Sequence, residues 1–338
     1  MSGSTMRAAV LYDVDDVRIE QRPLPQLNDG EVLVRTMASG ICSGDVMAWY
    51  IRRKAPLVLG HEPAGIVAET RGNAPFAAGD RVFVHHHAPC FECRPCARGA
   101  YVQCAAWRSS KIDPGGMAEY FRVPAGNLRD TLVLPDAITF ADASLIEPLA
   151  CVVKSLRRSG LAQGDRCYVI GLGVMGQLHV LAARELGAEV FGSDFIAARR
   201  ALAERNGAIA LHPDDVKKAV PEGADVVICG PGSASAMQGA FEAVAAGGTV
   251  VMFTPFAPEM RLEVPPDRFY FGDLRLVASY SCGPDDTRAA LSLTEKGVVT
   301  AEKVGATLVA LEDVPRAYRD LAASRIVKPI VVFEPPNG

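Results

Sequence analysis

Four cysteines fall within one short stretch, Cys90, Cys93, Cys96 and Cys104, at the spacing C-x2-C-x2-C-x7-C. That spacing lets a single loop wrap a tetrahedral ion, and four thiolates select zinc. With all four positions filled by protein there is no place for water or substrate, so such a site braces the fold and does no chemistry. Two disulfides are the competing reading. The opening Met1-Ser-Gly-Ser-Thr-Met6 is short and polar, without the apolar core of a secretion signal, and in a reducing compartment close-set cysteines are metal ligands. A metal that does chemistry must lie elsewhere. Cys42, in Ser39-Gly-Ile-Cys42-Ser43-Gly44-Asp45, and the pair His61-Glu62 after Gly60 offer a thiolate, an imidazole and a carboxylate. These suit Zn2+ while leaving it open to a substrate. A lone cysteine or a lone His-Glu pair is more often core or surface; the combination points to a second zinc.

A second kind of chemistry is written in Gly171-Leu-Gly173-Val174-Met175-Gly176. The motif follows an apolar run at 167–170 and opens a helical pattern at 177–186, the context in which G-x-G-x-x-G binds a dinucleotide. The first glycine allows the tight turn, the second lets backbone approach a pyrophosphate, and the third lets helix pack on strand. The helix N-terminus adds a favourable dipole. Asp194 closes the next strand-like run. A carboxylate there accepts the ribose hydroxyls and repels a 2′-phosphate, which favours NAD over NADP. Arg199 and Arg200 follow it, placed either to hold a phosphate or to flank the adenine ribose.

These groups need elements to carry them. The chain has 338 residues, 49% hydrophobic and 22% charged, enough for two cores. Up to about residue 140 it reads as short strands between Gly, Pro and Asp punctuation, at 7–11, 31–37, 65–69, 81–84 and 119–123. A helical stretch at 143–158 then leads into alternating strands (167–170, 189–193, 226–229, 249–253, 274–278) and Ala/Leu-rich helices, the pattern of a parallel sheet with crossovers. The tail carries one helix, 287–296, and a closing strand, 330–333, that rejoins the first domain. The division expected is 1–148 with 285–338, and 149–284. A net charge of −4 without long runs of one sign excludes a nucleic-acid track. No apolar window is long enough to span a membrane. The expected location is the cytoplasm, with most of the remaining cysteines (Cys151, Cys167, Cys229, Cys282) buried thiols.

Taken in order, Gly60-His61-Glu62-Pro-Ala-Gly65, Gly79-Asp80-Arg-Val82, the four-cysteine lobe, Glu147-Pro148-Leu149-Ala150 and the Gly-rich turn resemble the zinc-dependent medium-chain dehydrogenase/reductase (alcohol dehydrogenase) superfamily. The resemblance covers nearly the whole chain. Glu62 and the Glu147-Pro-Leu-Ala segment are most similar to the sorbitol/polyol, glucose and threonine dehydrogenase branch. The resemblance implies an α/β fold: a Rossmann doubly wound parallel sheet as the coenzyme domain, with a β-rich GroES-like catalytic domain bearing the structural zinc lobe. It implies that Cys42, His61, Glu62 and Glu147 surround a catalytic zinc, one carboxylate reaching it directly or through water, in a site between the two domains. It implies that Lys328 meets the cofactor phosphates and that the strand at 274–278 pairs across a two-fold axis in a homodimer or homotetramer.

The expected activity is hydride transfer between NAD(H) and a secondary alcohol or ketone, the substrate a polyol, cyclitol or sugar-derived hydroxyl. An amino-alcohol or threonine-like substrate is the alternative, and a non-catalytic member that binds zinc and nucleotide is the alternative of a different class. That last reading is motivated by a departure. Relatives commonly carry Ser or Thr two residues after the cysteine and His five residues after it to move the proton, and here those positions are Gly44 and Met47. Ser43 stands one place early, where on an extended segment its side chain would point the other way; it is the candidate proton relay, with a bound water, a substrate hydroxyl or Glu62 acting as base as the alternatives. Met47, Trp49, Tyr50, one of His85, His86 and His87, and Lys111 are candidates for the pocket wall.

Overall fold

The computed structural model describes residues 5–333 and divides the chain into two compact units, one running through Ala150 and resuming at Cys282, the other Cys151–Ser281. These boundaries differ slightly from those expected at 148/149 and 284/285. The helix Ile146–Ser159 passes through the first boundary without punctuation, and Cys282 contacts the His85 ring and the Glu147 carbonyl of the first unit.

In the first unit a seven-stranded sheet is built around Val32–Gly40. That strand pairs antiparallel with Pro63–Thr70 on one side and with Lys328–Val332 on the other, while Tyr120–Val123 pairs with its first half. Two cores hold it. Val32, Val34, Val67, Val82, Val84 and Phe121 fill one, and Ile41, Ile51, Leu59, Met117, Tyr318 and Val331 fill the other. The second core encloses residues on both sides of the Cys42 turn, so the chain is fixed there by apolar burial before any metal is considered.

The tail holds two helices, where the sequence reading has one: Pro284–Glu295 and Val314–Ala322. Val314, Ala317, Tyr318 and Leu321 of the second are buried, a helical stripe at i, i+3, i+4 and i+7. Its signal is the proline in the first turn, a starting residue rather than a break.

The second unit is a six-stranded parallel sheet ordered Ile209–Leu211, Glu189–Ser193, Arg166–Ile170, Ala224–Cys229, Val244–Met252, Arg275–Ala278. Counted along this unit the order is 3-2-1-4-5-6, the doubly wound arrangement with its switch point beside the first strand. Tyr168, Val227, Cys229, Phe241 and Val250 belong to its core. Among the described residues no helix is long and apolar enough to cross a membrane.

Candidate active site

The four lobe cysteines converge. Their sulfurs all lie within 4.8 Å of one another, with Cys93–Cys96 at 3.4 Å, Cys90–Cys104 at 3.6 Å and Cys90–Cys96 at 4.0 Å. Zn–S bonds of about 2.3 Å at tetrahedral angles put sulfurs about 3.8 Å apart, so the donor set fits zinc. The Cys90 and Cys93 amides donate to sulfurs of the same set at 3.3 and 3.4 Å, as suits thiolates. Trp107 packs in the lobe and its ring lies 4.3 Å from that of His87.

A second set forms around the end of the central strand. Cys42 caps a short 3-10 helix, Ser43–Val46, its sulfur accepting from the Gly44 amide at 3.3 Å. Ser43 therefore stands half-buried in a helical turn, and the alternation expected of an extended segment does not describe it. Donor atoms of Cys42, His61 and Glu62 lie within 4.8 Å of one another. Glu62 is fully buried, and the sequence explains how. A Cβ on Gly40 would overlap Glu62 Oε2 and come within 2.7 Å of Lys328 Nζ, so only glycine leaves room for the pair.

Lys328 donates to Glu62 Oε2 and, at 3.2 Å, to the Ile41 carbonyl, and is 1% exposed. This corrects the expectation that it meets cofactor phosphates: its charge is spent on a carboxylate of its own unit. The other Glu62 oxygen, Oε1, is buried with no hydrogen-bond partner. An orphaned carboxylate oxygen beside a thiol and an imidazole fits a metal ion in the place between them.

The electrostatics agree. Burial works against charge on His61, but Asp45 and then the Cys42 sulfur outweigh it and raise its pKa well above that of a free imidazole; the site favours a cation. Asp45 Oδ1 lies 3.8 Å from His61 Nδ1, and the Tyr318 hydroxyl donates to the Asp45 carbonyl. Burial raises the Asp45 carboxyl itself. Asp45 and Tyr318 were not singled out from the sequence. Asp45 in Cys-Ser-Gly-Asp is the one signal available there, an acid three residues from a ligand and placed to orient an imidazole.

Glu147, on the first turn of Ile146–Ser159, is 6% exposed and is raised chiefly by burial. The structure brings its carboxylate within 4.8 Å of ring nitrogens of His85 and His86, an adjoining set, rather than into the set of Cys42, His61 and Glu62. The His61 and His86 rings, 5.1 Å apart, join the two sets. The three consecutive histidines separate in role. Fully buried His85 shares its Nδ1 with Asp130 Oδ2 at 2.6 Å, while Asp130 Oδ1 accepts from the Thr287 hydroxyl at 2.9 Å. His87 Nδ1 meets the Ser110 carbonyl, and burial brings its pKa down to about 4. His86 Nδ1 is buried without a partner.

In the second unit Gly171 follows the first strand, Arg166–Ile170, and Gly173 caps the helix Val174–Glu185, whose first turn holds Met175 and Gly176. A Cβ on Gly176 would overlap the Gly171 carbonyl, the close helix–strand approach the motif demands. Asp194 Oδ2 accepts from the Leu172 amide at 2.9 Å and Oδ1 from the Ile196 amide at 2.8 Å, so the carboxylate is fixed above the loop. Arg199 lies 3.5 Å from it. Arg200 instead donates to the Asp194 and Phe195 carbonyls at 2.8 and 3.0 Å. Gly171, Asp194, Phe195 and Arg199 line a cavity of about 1030 Å³, ample for an adenosine moiety.

A loop that cradles a dinucleotide and a metal set open to a ligand define a class, and the chain belongs to the zinc-dependent medium-chain dehydrogenase/reductase superfamily. Residues 28–136 match the alcohol dehydrogenase GroES-like domain family and residues 174–296 the zinc-binding dehydrogenase family. Within the class it is similar to D-xylulose reductase A of Aspergillus niger, 28% identical over 95% of each chain. Among solved structures it is similar to alcohol dehydrogenase TADH from Thermus sp. ATN1, 26% identical, TM-score 0.86, covering 97% of this chain and 100% of that one. It is also similar to a protein assigned to the zinc-binding dehydrogenases from Sinorhizobium meliloti 1021, bound to NADP, 29% identical, TM-score 0.87, covering 98% and 100%. The protein is a zinc-dependent oxidoreductase acting on small-molecule alcohols.

Proposed function

We propose that the protein oxidises a secondary hydroxyl of a polyol with NAD as the hydride acceptor, or, in reverse, reduces the matching ketose with NADH as the hydride donor. The observation that carries this is the convergence of Cys42, His61 and the orphaned Glu62 Oε1 on one open metal position. Zinc bound there supplies Lewis acidity toward the substrate oxygen, lowering the pKa of the carbinol and favouring hydride departure. The chain's own part is to hold that position. Cys42 is fixed by the capped turn, His61 is faced by Asp45, and Glu62 is pinned through its other oxygen by Lys328. Glu147 stands in the adjoining set as the second carboxylate, within 4.8 Å of ring nitrogens of His85 and His86.

The polyol assignment is supported by the similarity to D-xylulose reductases and by the polar lining of Glu147 and the histidines. NAD is supported by Asp194, whose carboxylate, held by two amides, would face a 2′-phosphate with like charge. The test is a steady-state panel of pentitols, hexitols, cyclitols, vicinal diols and amino alcohols, each with NAD and NADP. Turnover of polyols with NAD at the higher kcat/KM is expected. Turnover confined to threonine-like amino alcohols would replace the substrate reading, and a preference for NADP would replace the cofactor reading.

The expected assembly is a homodimer, or a homotetramer built from dimers, paired through the open edge strand Arg275–Ala278. The expected compartment is the cytoplasm, where a reducing environment would keep the four converging lobe cysteines available as metal ligands.

A further inference from the structure

The cavity lined by Gly171 and Asp194 does not end below them. It continues along the face of the parallel sheet, between the short helix Val216–Ala219 and the helix Ala234–Ala243, as far as Gly223, Val244 and Arg268. Ile170 pairs with Cys229, and Val244 pairs with Ala224, five residues earlier on the same strand, so the two ends lie about 16 Å apart at the rise of a strand. The Gly-rich loop and Asp194 are at the upper end, where the carboxyl ends of the strands receive a dinucleotide. The lower end has no part in that reading.

Three features of the lower end point to a ligand. Gly239 lies inside the helix Ala234–Ala243 and lines the cleft. A glycine there costs roughly 1 kcal/mol against alanine, yet no neighbour requires it, because a Cβ at that position would meet nothing within 4 Å. Ala236 and Ala243 continue the wall with small side chains, and the space that larger ones would fill stays open. Tyr168 lies on the floor, 5% exposed, and its hydroxyl is tied to that of Ser193 at 2.6 Å, so the cleft has a fixed aromatic surface. Arg268 stands at the foot. Its Nη2 donates to the Glu242 and Val244 carbonyls at 3.1 and 3.0 Å, and among the described residues its other nitrogens have no partner. Of the remaining ionisable groups there, Glu222 is drawn to Arg166 at 3.4 Å and Lys217 offsets Glu242, which leaves the foot positive. A guanidinium fixed through one nitrogen keeps N–H groups for a carboxylate.

We infer that the lower end of this cleft is a second small-molecule site, one that takes an aromatic carboxylate. The rings of the ligand fill the hollow between Gly239 and Tyr168, and its carboxylate meets Arg268. Coenzyme and ligand occupy opposite ends of one cavity, so both bind at once.

The test is calorimetric titration of the full-length protein with naphthalene-2-carboxylate, alone and with saturating NADH. NADH should leave the affinity for the probe within about threefold. Gly239→Leu fills the hollow and favours the helix; it should weaken the probe by roughly tenfold or more while NADH binding and the melting temperature hold. Arg268→Gln should weaken it by roughly tenfold as well. Naphthalene-2-methanol, with the same rings and no charge, should bind wild type and Arg268→Gln alike. Displacement of the probe by NADH would put it in the adenosine end and overturn the inference. Absence of binding at millimolar probe, or full affinity in Gly239→Leu, would do the same. If Gly239→Leu melts below wild type, Arg268→Gln decides, and an unchanged affinity for the carboxylate in that variant overturns the site.

Discussion

Glu62 and Lys328 form an ion pair in which both side chains are 1% exposed. Breaking such a pair from one side leaves a lone buried charge, at a cost of about 3–5 kcal/mol, so Lys328→Met should destabilise the protein by that order. Bound zinc would change the sum, because the Glu62 carboxylate, whose Oε1 is buried without a partner, belongs to the Cys42 and His61 set and a cation there compensates it. Urea unfolding of Lys328→Met with and without chelator should therefore show the larger loss in the zinc-stripped protein; identical losses would mean that Glu62 does not feel the metal. His179 makes a separate prediction. It is 1% exposed, and burial brings its pKa down to about 4 although the Met175 carbonyl works the other way. The folded state keeps it neutral while the unfolded chain takes up a proton below about 6.5. Its contribution is thus fully present above that pH and is lost as the pH falls toward 4, worth roughly 3 kcal/mol in total. The slope of stability against pH between 4 and 6.5 should flatten in His179→Asn, and an unchanged slope would refute the assignment.

The cysteine lobe reaches the metal set through an element rather than through a bond. Trp107 packs in the lobe and against His87, and His87 sits next to the ring that lies on His61. The lobe should thus determine folding and the second set chemistry. Cys93→Ser is expected to lose one zinc and lower the melting temperature by roughly 5–10 °C. His61→Ala is expected to abolish turnover with a far smaller shift; comparable unfolding by both would undo the division. The lobe and the Gly-rich turn were legible in the sequence because each is local, with ligands or glycines a few residues apart and a geometry set by one loop. The partners that finish the site are not local. His85 meets Asp130 45 residues away and Cys282 197 residues away, and Lys328 meets Glu62 across 266. No spacing encodes such pairs; they follow from the order of strands, which is why Lys328 was expected at the cofactor and is found on a carboxylate. The extended segment expected at Ser43 fails for a different reason: the turn after Cys42 is helical, and a period of two does not apply.

For the whole molecule, the open question is what covers the last strand of the parallel sheet. Among the described residues Arg275–Ala278 pairs with a strand on one side only, Val244–Met252, and the Arg158 side chain donates to the Ala278 carbonyl. Around it Leu276 is 38% exposed, Tyr280 54%, Tyr270 80% and Phe271 84%. An edge strand beside that many exposed apolar side chains carries a single charge, Arg275, and no proline, and pairing with a second copy satisfies backbone and side chains together. A two-fold axis does so with one self-complementary patch. Light scattering should give at least twice 35.9 kDa for the wild type. Leu276→Asp combined with Phe271→Asp should shift the mass toward one chain at low protein concentration, with the coenzyme loop still binding NADH because neither residue lines its cavity. A wild type that runs as a single chain at tens of micromolar would show that this edge is not where two copies meet.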